Sequence, residues 1–220
     1  MKTKLFKIAM MVALILAAIT RGQAQEYDGP CLPPTHGLDD HQSAFCGSTQ
    51  TQTIALSAGV NWFSTYVEIA LDDLKAALVE ALPNTAITIK GANNSTKFTR
   101  GHWQGELTWN VEEMYKITVA NACSFVLEGM PLNPAEHPIT IAGGGAATWL
   151  GFPLDQNMTP TNAFAGCAQN SDKLKSENAV SQYSRGHWQS EFPIEPGKGY
   201  IYISAPNSAD RVFTFPSSNK

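Results

Sequence analysis

The sequence predicts an α+β protein, mainly antiparallel β, built from two tandem pseudo-repeats of about 80 residues each. The stretch Arg-Gly-His-Trp-Gln-x-Glu starts at Arg100 and again, 85 positions later, at Arg185. An internal repeat at the spacing of a small domain indicates a duplicated fold. Short runs of alternating apolar and polar residues, bounded by Gly, Pro and Asn, predict strands. One stretch with leucines at three- and four-residue steps predicts a helix.

The bulk composition is that of a globular protein with few charges. Of 220 residues, 43% are hydrophobic and 15% are charged, and the formal net charge is -4 with a pI near 5.7. A nucleic-acid-binding protein is expected to carry a basic face, and this acidic balance argues against one. It argues equally against binding to an anionic membrane surface.

Residues 1–24 are predicted to be an export signal. Lys2, Lys4 and Lys7 precede an apolar run over residues 8–19, and Gly22-Gln23-Ala24 supplies small residues for cleavage after position 24. A run of about a dozen residues is too short to cross a bilayer as a helix. The mature chain is therefore expected to be exported (periplasmic, cell-surface or secreted) without inserting into the membrane.

Four cysteines in an exported protein predict disulfides. Although four cysteines allow three connectivities, we favour Cys31 with Cys46, and Cys123 with Cys167. The first bridge would loop the polar N-terminal segment, residues 25–52. The second would join the two repeats and contribute a few kcal/mol. A metal site is not expected, because the cysteines lack C-x-x-C spacing.

The first repeat is assigned to residues 53–136. Its strands are predicted in the stretches 54–56, 61–67, 86–91, 97–99, 107–111, 115–119 and 125–127. A helix is predicted to begin at Asp72 or Asp73, after the second strand, and to end at Pro83. Residues 129–137, with two prolines, form the predicted linker.

The second repeat, residues 137–216, follows the same plan in weaker form. Its predicted elements are strands at 138–142, around Trp149 and Leu174, before Arg185, and at 200–204 and 212–215, with a short helix within 159–166. Trp149 aligns with Trp62, and Leu174 aligns with Ile89. Residues 217–220 are predicted to be a tail.

Four short motifs resemble those of secreted tandem-repeat domains from Gram-negative gut bacteria, which carry W-N-W, I-K, W-x-G-x-L and G-Y-x-I elements. The counterparts in this chain are Asn61-Trp62, Ile89-Lys90, the stretch from Trp103 to Leu107, and the stretch from Gly199 to Tyr202. The resemblance covers nearly all of the mature chain and implies a cell-surface or secreted role. It carries over no catalytic motif. Repeat 2 departs from the pattern at Ser190 and Phe192.

The repeated pentapeptides are the candidate ligand-binding residues. They are Arg100, His102, Trp103 and Gln104 in the first repeat, and Arg185, His187, Trp188 and Gln189 in the second. If the two indoles face outward, each is a flat surface beside planar polar groups, which suits a sugar ring. The alternative, which the alternating apolar pattern favours, is that each Trp anchors a core. The polar residues would then remain as the functional part.

These residues predict an exported, non-enzymatic binding or adhesion protein whose partner is a glycan or a surface protein. The alternative is a structural spacer or assembly module without a ligand. A glycoside hydrolase-like enzyme is the third possibility, and it requires Glu106 and Glu191 to face each other across a cleft. Because hydrolase, metalloprotease and phosphate-loop motifs are missing from the sequence, no catalytic residue, metal or cofactor is expected. His36, Asp39, Asp40 and His41 match no ligand spacing either.

Overall fold

The computed structural model of the chain describes residues 48–217. Several sequence predictions lie outside the described residues. They are the signal peptide, most of the polar segment 25–52, the Cys31–Cys46 pair, the group from His36 to His41, and residues 218–220. Within residues 48–217 the protein is strand-rich, with antiparallel sheets and two α-helices, as the α+β prediction requires.

The first half of the described chain forms two sheets and one helix. Its elements are β1 Gln50–Leu56, β2 Gly59–Phe63, β3 Val67–Glu68, α1 Leu71–Ala81, β4 Ile87–Lys90, β5 Ser95–Thr99, β6 His102–Gln104, β7 Tyr115–Val119 and β8 Cys123–Pro131. A five-stranded sheet has the order β2-β7-β4-β5-β6, and a three-stranded sheet has the order β1-β8-β3. Helix α1 buries Leu74 and Leu78 and contacts β8.

The second half has its own five-stranded sheet. Its elements are β9 Ile139–Ile141, β10 Ala147–Leu150, α2 Pro160–Ala163, β11 Lys173–Lys175, β12 Val180–Ser184, β13 His187–Gln189, β14 Tyr200–Ile203 and β15 Arg211–Phe213. The five-stranded sheet has the order β10-β14-β11-β12-β13, and β15 pairs with β9. Its connectivity is that of the first five-stranded sheet: in both, the last strand in sequence lies second from the edge.

Each half buries a separate apolar cluster. In the first, Ile87, Ile89 and Ile117 from the five-stranded sheet pack with the buried leucines of α1. In the second, Phe164 lies at the centre and contacts the rings of Trp188 and Tyr202 at centroid distances of 5.8 and 5.0 Å. Because apolar burial is the main favourable term in folding, these clusters position the sheet edges on which the candidate site lies.

Two reciprocal hydrogen bonds join the halves. The Ser64 N–H donates to the Gly197 carbonyl at 3.2 Å, and the Gly151 N–H donates to the Glu112 carbonyl at 2.7 Å. The two bonds are equivalent. The first runs from the residue after the edge strand β2 to the loop before β14, and the second runs from the residue after the edge strand β10 to the loop before β7. The edge at Phe63 is extended by a bridge to Lys198. Both halves therefore belong to one compact unit.

A buried ion pair between Asp172 and Arg211 links several segments of the second half. Asp172, which is fully buried, accepts hydrogen bonds from the Tyr202 hydroxyl at 2.6 Å, from the backbone N–H groups of Gln169 and Ala205 at 2.7 Å each, and from the guanidinium of Arg211. These partners fill most of the acceptor positions of the carboxylate, so its burial is compensated. In the first half, Ile87 and Ile117 occupy the corresponding sheet positions.

Three buried tyrosines share one electrostatic property. Burial raises the pKa of Tyr115 and of Tyr200 well above the ordinary value of 10, although each hydroxyl accepts a backbone hydrogen bond at 2.7 Å, from Asn110 and Glu195 respectively. Burial, followed by the neighbouring Asp172 carboxylate, raises the pKa of Tyr202. All three phenols are therefore held in the protonated form far above neutral pH.

Both described cysteines are free thiols, so the predicted Cys123–Cys167 bridge is wrong. Cys123 pairs with Leu56 in the β1–β8 ladder and contacts the first apolar cluster, whereas Cys167 contacts the second. Burial raises the pKa of the Cys167 thiol, and a hydrogen bond with Arg211 opposes that rise. The halves are joined instead by backbone hydrogen bonds and packing.

Several other element predictions differ from the structure. β8 continues to Pro131, inside the predicted linker 129–137, and the predicted strand 61–67 is interrupted between β2 and β3. Residues 107–111 form a loop, although their apolar residues alternate as in a strand. Leu107 and Trp109 still pack on the core, and the Trp109 indole N–H donates to the Ile69 carbonyl at 3.1 Å. The alternation therefore reflects burial without a neighbouring strand. β1 begins at Gln50, inside the segment predicted to be an arm. It pairs with β8, its two threonines face outward, and the buried Gln52 side chain bonds the Ser64 carbonyl and the Tyr66 N–H.

Candidate functional site

The two pentapeptides form two matching hairpins at the edges of the five-stranded sheets. Arg100 and Gly101 join β5 to β6 with φ angles of 53° and 84°, and Arg185 and Gly186 join β12 to β13 with 55° and 83°. Two consecutive left-handed residues in a two-residue loop are typical of a type I′ turn, whose twist matches that of the paired strands. Arginine adopts this conformation at a cost that glycine avoids.

The tryptophans of the hairpins point toward the cores. Trp188 is 4% exposed and faces Tyr183 on the neighbouring strand, with ring centroids 5.4 Å apart. Trp103 is half-buried, faces Phe98 at the same centroid distance, and has the Lys75 ammonium 5.8 Å from its ring centre. Trp188 therefore serves as a core anchor and offers no open face. Trp103 offers at most part of one.

The polar residues of the hairpins are exposed and make the same hydrogen bonds in both copies. In the first, His102 Nδ1 lies 3.3 Å from the Arg100 carbonyl oxygen, and His102 Nε2 lies 2.7 Å from Gln104 Nε2. Since the amide nitrogen only donates, the imidazole accepts at Nε2 and donates from Nδ1 to the carbonyl. His187 makes the same two bonds with Arg185 and Gln189. The structure thus joins the His and Gln side chains of each hairpin beside the exposed arginine of the turn.

The two hairpins differ at the residue after the Gln, where the free-energy cost of a left-handed backbone conformation depends on the side chain. Gly105 has φ 85°, and a Cβ there would lie 2.6 Å from the Ser95 carbonyl oxygen. Its counterpart Ser190 has φ 56° and carries a side chain in the left-handed region. The first hairpin therefore requires glycine at this position. In the second hairpin serine is tolerated, although glycine would stabilise the turn.

Replacing Ser190 with Gly is expected to raise the free energy of unfolding by about 0.5–1 kcal/mol. The left-handed conformation costs a residue with a Cβ about 1–2 kcal/mol, and the greater freedom of glycine in the unfolded chain cancels part of the gain. Urea unfolding of the two proteins measures the difference. Gly105→Ser is the matched control and should lower stability by more than about 1 kcal/mol. Ser190→Gly with reduced stability would contradict this reading of the turn.

The carboxylates proposed for an enzyme differ in their surroundings. Glu191 Oε1 accepts hydrogen bonds from the Thr161 N–H at 3.2 Å and from the Thr161 hydroxyl, so it holds the first turn of α2. Glu106 is exposed on the loop after β6. The Glu191 carboxylate therefore has a structural role, and it would have to break its bonds with Thr161 before it could act on a substrate.

A cleft lies where the first five-stranded sheet meets the second half, and the sequence did not single it out. It has a volume of about 320 Å³. Its lining residues are Trp62, Ser176, Glu177, Asn178, Phe192, Pro193, Glu195, Lys198, Gly199 and Tyr200. Most of them come from the turns that follow β11 and β13, which pattern analysis treats as connections. Trp62 carried a signal through its Asn-Trp motif, and so did Gly199 and Tyr200 through the Gly-Tyr motif, but neither motif indicated a cleft.

The Trp62 side chain lies beside a stacked cation. The Lys116 ammonium is 4.5 Å from the Trp62 ring centre and 4.8 Å from that of Trp149, so two indoles from different halves flank one charge. Desolvation, followed by the nearby Lys90, lowers the pKa of Lys116. Attraction between a cation and an aromatic face amounts to about 0.5–2 kcal/mol per pair. The arrangement restrains the half-buried Trp62 ring at the edge of the cleft.

Within residues 48–217, His, Cys, Asp and Glu side chains form no group of three that could hold a metal ion. Neither helix of the described chain has the length and apolar content needed to cross a bilayer. No family model, curated protein or solved structure matches the chain significantly.

Proposed function

We propose that the chain is an exported, non-enzymatic protein of the cell surface or the secreted fraction, made of two tandem units, residues 53–136 and 137–216. In this proposal the paired hairpins bind a glycan or a surface protein. The equal order of the two five-stranded sheets supports the duplication. So do equivalent hydrogen bonds: Thr96 donates to the Gln104 carbonyl at 3.1 Å, and Ser181 donates to the Gln189 carbonyl at 2.8 Å. The motif resemblance supports the location.

One observation carries the binding role: both copies present the same exposed Arg-His-Gln set on the same turn. Core packing explains why each copy has a Trp, and turn geometry explains the Gly. Neither explains why both copies carry the exposed guanidinium. Arginine presents donors in a planar fork that suits carboxylates, phosphates and hydroxyl pairs. Two such sites on one rigid unit would also bind a repetitive surface by avidity.

The alternative, a structural spacer without a ligand, is favoured by a different observation. His102 and Gln104 hydrogen-bond each other and the turn carbonyl, as do their counterparts, so these residues also stabilise the hairpins in which they lie. In that case only Arg100 and Arg185 lack a structural explanation. They are therefore the residues on which the two functions give different expectations.

The double variant Arg100→Asn/Arg185→Asn is expected to keep the fold and lose binding. Asn favours the first position of a type I′ turn, so the thermal midpoint should stay the same or rise, while both guanidinium groups are removed. Binding to a glycan array and to intact bacterial surfaces should fall by about tenfold or more, because truncated arginine anchors often cost over 1 kcal/mol. The control Lys90→Gln/Lys173→Gln removes the same charge from exposed strand positions. A spacer would show no specific binding in any of these proteins.

A further inference from the structure

We propose that the cleft between the halves binds the end of a neutral glycan, with Trp62 and Phe192 as its aromatic walls. This cleft is built from other residues than the hairpins, and the inference does not depend on them. The lining suits a sugar because it combines accessible aromatic rings with planar hydrogen-bonding groups. A purely apolar ligand would displace water from these polar groups without replacing its hydrogen bonds.

The two aromatic walls are restrained before any ligand arrives. Phe192 stacks on the buried Tyr200, with centroids 6.2 Å apart and planes 13° from parallel. Trp62 is restrained by the Lys116 ammonium at 4.5 Å from its ring centre. Because ordering a side chain on binding costs free energy, rings that are already fixed favour affinity. Sugar C–H groups pack against such rings without requiring a charged ligand.

The polar groups of the cleft favour hydroxyls over acidic sugars. Glu177, Glu195 and Asn178 are exposed and line the same cleft, with Lys198 as its cation. Two carboxylates and one ammonium leave a negative balance, which disfavours a sialic or uronic acid. Carboxylate and amide oxygens accept hydrogen bonds from sugar hydroxyls, and the amide and ammonium groups donate.

The size of the cleft limits what enters it. A volume of about 320 Å³ lies at the small end of ligand pockets, which are about 300–1,000 Å³. The cleft therefore suits the terminal one or two sugars of a chain, with the remainder in solvent. This is an end-binding site and differs from a groove that follows a long polysaccharide.

The corresponding place in the other half is differently filled. By the 85-residue offset, Phe192 corresponds to Leu107, Glu177 to Ala92, and Glu195 to Asn110. There Asn94 donates to the Thr108 hydroxyl at 3.0 Å, and Asn110 donates to Glu113 at 3.0 Å. The Phe192 wall and both carboxylates are thus replaced, while Trp149 corresponds to Trp62, and polar groups at this place form hydrogen bonds within their own loop. We expect one cleft of this kind per chain.

Trp62→Ala and Glu177→Ala should each weaken binding to neutral oligosaccharides by about tenfold or more. The full exported chain is applied to an array of oligosaccharides ending in glucose, galactose, mannose or N-acetylglucosamine, with sialylated and glucuronic-acid-terminated chains alongside. Glu128→Ala is the matched control for Glu177→Ala: it removes an exposed carboxylate of β8 that does not line the cleft, and should retain binding within about twofold. Glu177 lies on an exposed turn, so its variant tests the site even if Trp62→Ala unfolds.

Any of three results would contradict glycan binding in the cleft. They are no neutral glycan bound by the unmodified chain, a preference for glycans with an acidic terminal sugar, or unchanged binding in both cleft variants. The Arg100→Asn/Arg185→Asn protein on the same array separates this inference from the hairpin proposal. Binding lost in the cleft variants and kept in the arginine variant supports the cleft and removes the hairpins as the glycan site. The opposite pattern supports the hairpins and overturns the cleft.

Discussion

Asp172→Ala is expected to lower the free energy of unfolding by about 3–5 kcal/mol, the usual loss when one member of a buried ion pair is removed. The variant leaves the largely buried Arg211 guanidinium without its carboxylate. It also removes the acceptor for the Tyr202 hydroxyl and for two backbone N–H groups. Urea unfolding, followed by tryptophan fluorescence because Trp188 lies in the same cluster, measures the change.

Two further proteins sharpen this test. Asp72→Ala removes a fully solvated carboxylate that pairs with Lys75 at 3.5 Å, and should change stability by less than about 0.5 kcal/mol. Asp172→Leu/Arg211→Met replaces both charges by apolar groups, and should lose less than Asp172→Ala because no buried charge is left unpaired. If Asp172→Ala is no worse than Asp72→Ala, the network is not what holds the second half together.

Stability is expected to fall steeply above pH 10. The pKa values of Tyr115, Tyr200 and Tyr202 are raised in the folded protein, for the first two mainly by burial and for Tyr202 also by Asp172. Below pH 10, folded and unfolded chains both keep these protons. Above it the unfolded chain releases them while the folded one does not, so alkali favours unfolding. Each tyrosine contributes about 1.4 kcal/mol per pH unit until its folded pKa is reached.

Together the three phenols give a slope of about 4 kcal/mol per pH unit above pH 10. Urea unfolding at a series of pH values from 8 to 11.5 measures that slope, and absorbance near 295 nm reports tyrosinate in the folded protein. Tyr115→Phe should reduce the slope by about one third, since one of three coupled protons is removed. Complete tyrosinate formation near pH 10, without unfolding, would contradict the protected environment of these rings.

Much of the fold could be predicted from short-range patterns. Alternation over residues 115–119 and leucine spacing over residues 71–82 gave β7 and α1, since these periods follow from local geometry. Residues 107–111 have the same alternation but no strand beside them, and a pattern of burial cannot show whether a hydrogen-bonding partner exists. The Cys123–Cys167 bridge failed for a related reason: a disulfide needs two Cβ atoms close together, and spacing along the chain does not specify that.

The candidate site was predictable only where it repeats. Arg100 and Arg185 were found because the pentapeptide occurs twice, and the turn that exposes them follows from the Arg-Gly pair at each hairpin. The burial of Trp188 depends on Phe164, the residue directly after α2, which lies more than 20 residues earlier in the chain. The cleft was not predictable, because Glu177 and Lys198 meet Trp62 only after two distant turns approach the β2 edge.

The paired bonds from Ser64 to Gly197 and from Gly151 to Glu112 have an evolutionary consequence. Two equal contacts that run in opposite directions form the geometry of a two-fold symmetric dimer. If the units arose by duplication, a single-unit ancestor would have paired with a second copy through this surface. Gene fusion then keeps the partners together at an effective concentration in the millimolar range. In a fused chain the two sides of this interface are encoded separately, so they can diverge. Here Glu177 and Phe192 lie on one side, and Ala92 and Leu107 occupy the corresponding positions on the other.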